Sequence, residues 1–105
     1  MTSRSSTIIR KGPLRLVHPG AILDREMEAR GLSAQALAMK LRVPANRISE
    51  IVAGRRGISA ETALRLGRYL GTGPDLWVRL QASYDLAMAE REHGALVRRE
   101  VEVAA

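Results

Sequence analysis

Cysteine is absent from the 105 residues, which removes disulfides, thiolate metal sites and cysteine nucleophiles and fits a reducing compartment. Phenylalanine is absent too, and one tryptophan and two tyrosines are the whole aromatic complement. The core must therefore be assembled from Leu, Ile, Val, Ala and Met, an aliphatic set that favours helices. No apolar run exceeds a few residues, so neither a membrane span nor a signal-peptide core is expected, and the chain reads as soluble and cytoplasmic. His18 and His93 stand far apart with no second ligand at metal spacing, and no glycine-rich phosphate loop is present. Asp85 and Glu90 fall on what reads as solvated helix surface. No catalytic residue, metal or cofactor is expected.

What is plentiful is positive charge, unevenly placed. The formal net charge is +6. Residues 1–17 carry Arg4, Arg10, Lys11 and Arg15 and no acid, and residues 33–57 carry Lys40, Arg42, Arg47, Arg55 and Arg56 against Glu50 alone. From Asp75 onward acids outnumber arginines. A basic first half with a slightly acidic end is the footprint expected when one face meets a polyanion; a solvated basic surface is the alternative. The length suits one domain.

Periodicity and punctuation predict five helices. Pro19 and Gly31 bracket the first, with Ile22, Leu23 and Met27 inward and His18 at its start, placed for local hydrogen bonding. Ser33 caps the second, which runs to about Leu41 with Leu37, Ala38 and Leu41 on one face. Arg42 fills the turn, at a position that often needs positive φ and would cost about 1 kcal/mol there. Pro44 opens the third helix, which ends near Gly54 and turns Ile48, Ile51 and Val52 inward. Ser59 caps the fourth, stopped at Gly71. Gly73 and Pro74 then start the fifth, whose Leu76, Trp77, Leu80, Tyr84, Ala87 and Met88 make an apolar stripe longer than a small four-helix core needs. That stripe is core packing, a dimer seam, or both. Three parts are expected: a flexible basic tail (1–17), a DNA-binding and dimerisation domain (18–92), and a C-terminal tail with a frayed helix (93–105).

The second and third helices, joined by a tight turn, describe a helix-turn-helix, whose second helix would lie in a DNA major groove. With its apolar side inward, that helix exposes Ala45, Asn46, Ser49 and Glu50, with Arg47 at the flank, as candidates for base contact. Asn pairs bidentately with adenine, Arg forks onto guanine, Glu accepts from cytosine, and an alanine methyl meets a thymine methyl. Ser33 and Gln35 at the start of the second helix, and Arg55 and Arg56 after the third, are candidates for phosphate. Leu76, Trp77, Leu80, Tyr84 and Met88 are the candidate dimer interface, because specificity usually needs two half-sites read by a dimer.

Three stretches carry a family resemblance: HPG at His18 to Gly20, VPANRISEIVAGRRGISAETALRLGRYLGT at Val43 to Thr72, and the LW…LQASYDL pattern from Leu76 to Leu86. Together they resemble the HigA antitoxins, a branch of the Xre/Cro-like helix-turn-helix family from bacterial toxin–antitoxin operons. The resemblance spans about residues 18–92, with departures at Ala21, Ala34 and Arg42. It implies an all-α, five-helix, lambda-repressor-like domain with a longer C-terminal helix, dimerising largely through that helix. It also implies repression of its own operon at a palindromic double-stranded operator in the nucleoid, and a partner toxin of the HigB type, a RelE-like mRNA endonuclease. Two other readings stay open: a solitary Xre-type regulator with no toxin, and a protein-interaction module that no longer binds DNA.

Overall fold

The computed structural model describes residues 16–105; the basic arm of Arg4, Arg10, Lys11 and Arg15 lies outside the described residues. The five expected helices are α1 (Pro19–Arg30), α2 (Ala34–Leu41), α3 (Ala45–Val52), α4 (Ala60–Leu70) and α5 (Asp75–Glu100), with no strand among the described residues. The start of each follows local chemistry. His18 caps α1, its Nδ1 accepting the Gly20 amide at 2.9 Å, and Pro19 opens the first turn, where its missing N–H is no loss. Ser33 and Ser59 cap α2 and α4 by accepting the amides of Ala36 and Thr62, each at 3.1 Å. Pro44 and Pro74 stand one residue before α3 and α5.

Packing wraps these helices around one core. Leu23 and Met27 of α1, Leu37, Ala38 and Leu41 of α2, and Ile48 and Ile51 of α3 meet Ala63, Leu66 and Leu70 of α4 and Trp77 of α5. Helix α1 crosses α3, α2 packs on both α3 and α4, and α5 closes the domain against α1 and α4. Two close approaches leave no space for a side chain. A Cβ on Gly20 would lie 1.8 Å from the Ile51 carbonyl oxygen, and one on Gly67 would lie 2.2 Å from the Gly73 carbonyl carbon. The first sets the distance between α1 and α3; the second lets the 73–74 turn lie on α4. Arg30 adds a tie, donating from Nη2 to Leu70 O at 3.2 Å across the ends of α1 and α4.

Arg42 ends α2 at φ 61°, ψ 47°, the only positive-φ residue other than glycine among the described residues. Its amide reaches Met39 O and the Val43 amide reaches Ala38 O at 3.0 Å, so the left-handed residue closes the helix with its terminal carbonyls satisfied. Relief of about 1–2 kcal/mol of left-handed strain, less the extra freedom of glycine in the unfolded chain, gives Arg42→Gly a net gain of about 0.5 kcal/mol. Thermal melting should rise by about 2–4 °C; an unchanged or lower midpoint would show that the arginine is unstrained.

Two helix ends differ from the sequence reading. Helix α3 stops at Val52 rather than near Gly54, because Gly54 takes φ 79° and turns the chain out of the helix. Helix α5 continues through Gly94 to Glu100 instead of fraying after residue 92. Glu90 and Arg98 pair at 2.7 Å across the surface that Gly94 leaves bare, and Arg98 and Arg99 complement the negative end of the helix.

The stripe expected at a dimer interface mostly faces inward. Trp77 is fully buried and donates its indole N–H to Thr72 Oγ1 at 2.9 Å. Leu80 packs against the core, Tyr84 meets the His18 ring edge-on at 4.8 Å between centroids, and Met88 is half-buried. Leu76 alone of the five is exposed. Trp77 is therefore a core residue and cannot touch a second copy of the intact domain. The opposite side of α5 carries exposed Val78, Leu86, Leu96 and Val97.

Candidate nucleic-acid interface

Helix α3 has two chemically distinct sides. Ile48 and Ile51, both at 0% exposure, fix one side into the core, and geometry then forces Ala45, Asn46, Ser49 and Ala53 to solvent. Asn46 makes no side-chain hydrogen bond within the described residues, while Ser49 Oγ donates to Asn46 O at 3.3 Å. A small methyl, a free carboxamide and a hydroxyl thus line the first two turns. Such a surface admits a base edge at close range, which a fringe of long side chains would hold off.

Arg47 and Glu50 are half-buried and engaged. Arg47 Nη1 lies 3.3 Å from Glu61 Oε1, and Arg56 Nη2 lies 2.8 Å from Glu50 Oε1. These exposed ion pairs are worth about 0–1 kcal/mol each, so a phosphate or base can displace them. Glu61 also accepts from Arg65 Nε at 2.6 Å. That hydrogen bond, helped by the charges of Arg65 and Arg47, holds its carboxyl below the usual range. Glu61 and Arg65 thereby orient Arg47, an arrangement the sequence reading missed because it depends on how the 53–59 loop folds α4 back against α3.

The candidate phosphate groups flank this face at both ends. Ser33 Oγ is committed to the cap at the start of α2, with Gln35 exposed beside it. Arg55 and Arg56 are exposed after α3, and the Arg55 amide closes the turn on Glu50 O at 2.8 Å. The loop carrying them is pinned from an unexpected place. Gln81 of α5 accepts the Ile58 amide at Oε1, 2.7 Å, and donates from Nε2 to Asp85 at 2.9 Å. Gln81 therefore links the loop beyond α3 to α5; the only sequence signal was an amide four residues before an acid on one helix. Among the described residues no group of His, Asp or Glu could hold a metal ion, and no helix is long and apolar enough to cross a membrane.

A capped helix, a tight left-handed turn and a second helix with one buried and one bare polar side define a helix-turn-helix domain of the Xre type. The family model described as a helix-turn-helix domain matches residues 20–80. With that match and the relatives that follow, the chain belongs to the HigA-type antitoxins of this family. Virulence-associated protein I from Dichelobacter nodosus is 49% identical over 83 residues, covering 78% of this chain and 77% of its own. An addiction-module antidote protein of the HigA family from Coxiella burnetii superposes with a TM-score of 0.83 at 42% identity, over 86% of this chain and 99% of that one. Pseudomonas aeruginosa antitoxin HigA, solved with the higBA promoter, gives 0.84 at 41% identity, over 87% of this chain and 100% of that one.

Proposed function

We propose that this protein represses its own operon as a homodimer on a palindromic operator and neutralises a HigB/RelE-like mRNA endonuclease by direct binding. It acts by binding rather than by catalysis. The bare Ala45–Asn46–Ser49 face of α3, held rigid by Ile48 and Ile51, carries the DNA-binding part of this reading. The relative solved with its promoter supports it. Ala45, Asn46, Arg47, Ser49 and Glu50 read bases, while Ser33, Gln35, Arg55 and Arg56 hold phosphates. Asn46→Ala should cost about 1–3 kcal/mol at particular operator positions, whereas Arg55→Ala weakens all sequences alike and flattens the salt dependence. Affinities for a panel of single-base operator variants check this; equal losses from both substitutions on every variant would contradict the assignment.

Dimerisation belongs to the outer side of α5. Ala82, Leu86, Ala89, His93 and Leu96 are all exposed and follow alternating spacings of four and three, the repeat of a two-helix seam. Leu86→Asp is expected to give a folded monomer, and sedimentation together with circular dichroism would show it; a folded dimer would move the interface elsewhere. The toxin half of the proposal is tested by co-expressing the full chain with the adjacent reading frame. Rescue of growth and co-purification support it, while an adjacent frame that is neither toxic nor retained leaves a regulator without a toxin.

A further inference from the structure

We infer that the cavity between the C-terminal ends of α2 and α4 is a phosphate-binding pocket, separate from the reading face of α3. The cavity has a volume of about 270 Å³ and is lined by Lys40, Leu41, Arg42, Arg65, Arg68 and Tyr69. Four of its six lining residues are cations, drawn from two helices and the turn between α2 and α3. Arg65 ties α4 to the end of α2 through Leu41 O, but no hydrogen bond or ion pair of the Lys40, Arg42 or Arg68 side chains among the described residues requires their convergence here.

The charges are not neutralised from within. Lys40, Arg42 and Arg68 are exposed and make no ion pair among the described residues. Glu61, through Arg65, is the acid that reaches the edge of the group. The end of α2 adds about half a negative unit. The last carbonyl of α4, Leu70 O, is already taken by Arg30. An excess of about two positive charges remains in one concavity, which suits one free phosphate group carrying about −1.5 to −2 or two backbone phosphates of one charge each.

Part of the pocket is preset. Arg65 is held at two points, Nε on Glu61 and Nη1 on Leu41 O at 2.9 Å, so its guanidinium loses little freedom on meeting an anion. Arg42 occupies a left-handed position that glycine would fill without strain. A charged side chain kept there at a cost to stability is accounted for by a binding role. Two or more guanidinium groups offer planar, forked donors that match phosphate oxygens. Tyr69, half-way to solvent, supplies a hydroxyl at the rim.

The phosphate has two possible sources: the backbone of bound duplex DNA or a free phosphate compound. Titrating the full chain with inorganic phosphate at constant ionic strength, against chloride, is expected to shift the Tyr69 ring and the Arg65 and Arg68 Nε–H resonances saturably. The variant Arg42→Gly/Arg68→Gln should lose affinity at least tenfold. If the melting curve of that pair shows damage, Lys40→Gln, an exposed substitution, takes its place.

The second arm replaces inorganic phosphate with duplex DNA from upstream of the protein's own gene. If the DNA backbone is the source, the same resonances move and the variant's salt slope falls by about 1.8 per half-site, two phosphates at about 0.9 each. The wild-type advantage then shrinks about tenfold between 50 and 200 mM salt. If phosphate moves the resonances and the duplex does not, the source is a free compound. The inference is overturned if neither probe moves them, or if the variants respond like the wild type. Because the phosphate arm needs no operator, a failure of DNA binding is distinguishable from a failure of the pocket.

Discussion

Trp77→Ala should lose about 3–5 kcal/mol, the cost of emptying a large aromatic site in a packed core. Trp77 is the largest fully buried side chain and sits where α4, α5 and the 71–74 turn meet. Its removal also ends the hydrogen bond from the indole N–H to the Thr72 hydroxyl. Against a total stability of about 5–15 kcal/mol, this is about a fifth or more. The melting midpoint should fall by about 20 °C, followed by circular dichroism. Trp77→Phe should recover most of the loss, since it refills the volume but not the hydrogen bond. A Trp77→Ala protein that melts like the wild type would refute the core assignment, while Leu86→Asp separates dimerisation from folding because Leu86 is 61% exposed.

Gly20→Ala, a change of one methyl group, should be nearly as damaging. Its Cβ would stand 1.8 Å from the Ile51 carbonyl oxygen and 2.7 Å from the carbonyl carbon. Those atoms belong to the backbone of α3, so no rotamer change relieves the clash. Helix α1 must move away from α3 by more than 1 Å, opening the contact around Leu23 and Ile51. Overpacking of this kind costs about 1–3 kcal/mol, and the backbone location puts it at the upper end. The shift loosens the seat of α3, the helix proposed to read DNA, so operator affinity should fall along with stability. Hydrogen exchange at the α3 amides provides the measurement: weakened protection is expected at Ile48 and Ile51, and wild-type protection would show that the close approach of α1 and α3 does not depend on this glycine.

The parts of this molecule governed by local chemistry were legible in the sequence. Ser33 and Ser59 at their caps and Leu37, Leu41, Ile48 and Ile51 in the core follow from spacing and side-chain type, whereas the positive φ at Arg42 stayed open because arginine disfavours the left-handed turn that its position calls for. The bare side of α3 was legible too, because burying Ile48 and Ile51 determines which residues remain outside. What sequence could not resolve was the choice between two apolar sides of α5. Trp77, Leu80 and Tyr84 recur at helical spacing, but so do Ala82, Leu86, Ala89 and Leu96, and only the positions of α1 and α4 decide which side is covered. Associations between separate elements were equally hidden: Gln81 on the Ile58 amide, Glu61 on Arg47, and the cavity that Arg42 and Arg68 both line. The extension of α5 past Gly94 was obscured by a glycine that normally ends a helix and here makes room for the Glu90–Arg98 pair.

The Arg42 position sets stability against binding. Arg42→Gly should melt higher and bind phosphate less well, two effects of opposite sign from one substitution. Most positions on a domain of this size show no such opposition, because a surface charge far from a ligand changes stability by only about 0.5 kcal/mol either way.

The central claim, that α3 reads a specific operator, is tested most directly by titrating the full chain into a labelled duplex from upstream of its own gene and into a shuffled duplex of equal length, across a salt series. Affinity for the upstream duplex should exceed that for the shuffled one about a thousandfold or more, Asn46→Ala should lose most of that ratio, and both affinities should fall steeply with salt. Equal affinity for the two duplexes at every salt concentration, unchanged by Asn46→Ala, would contradict it.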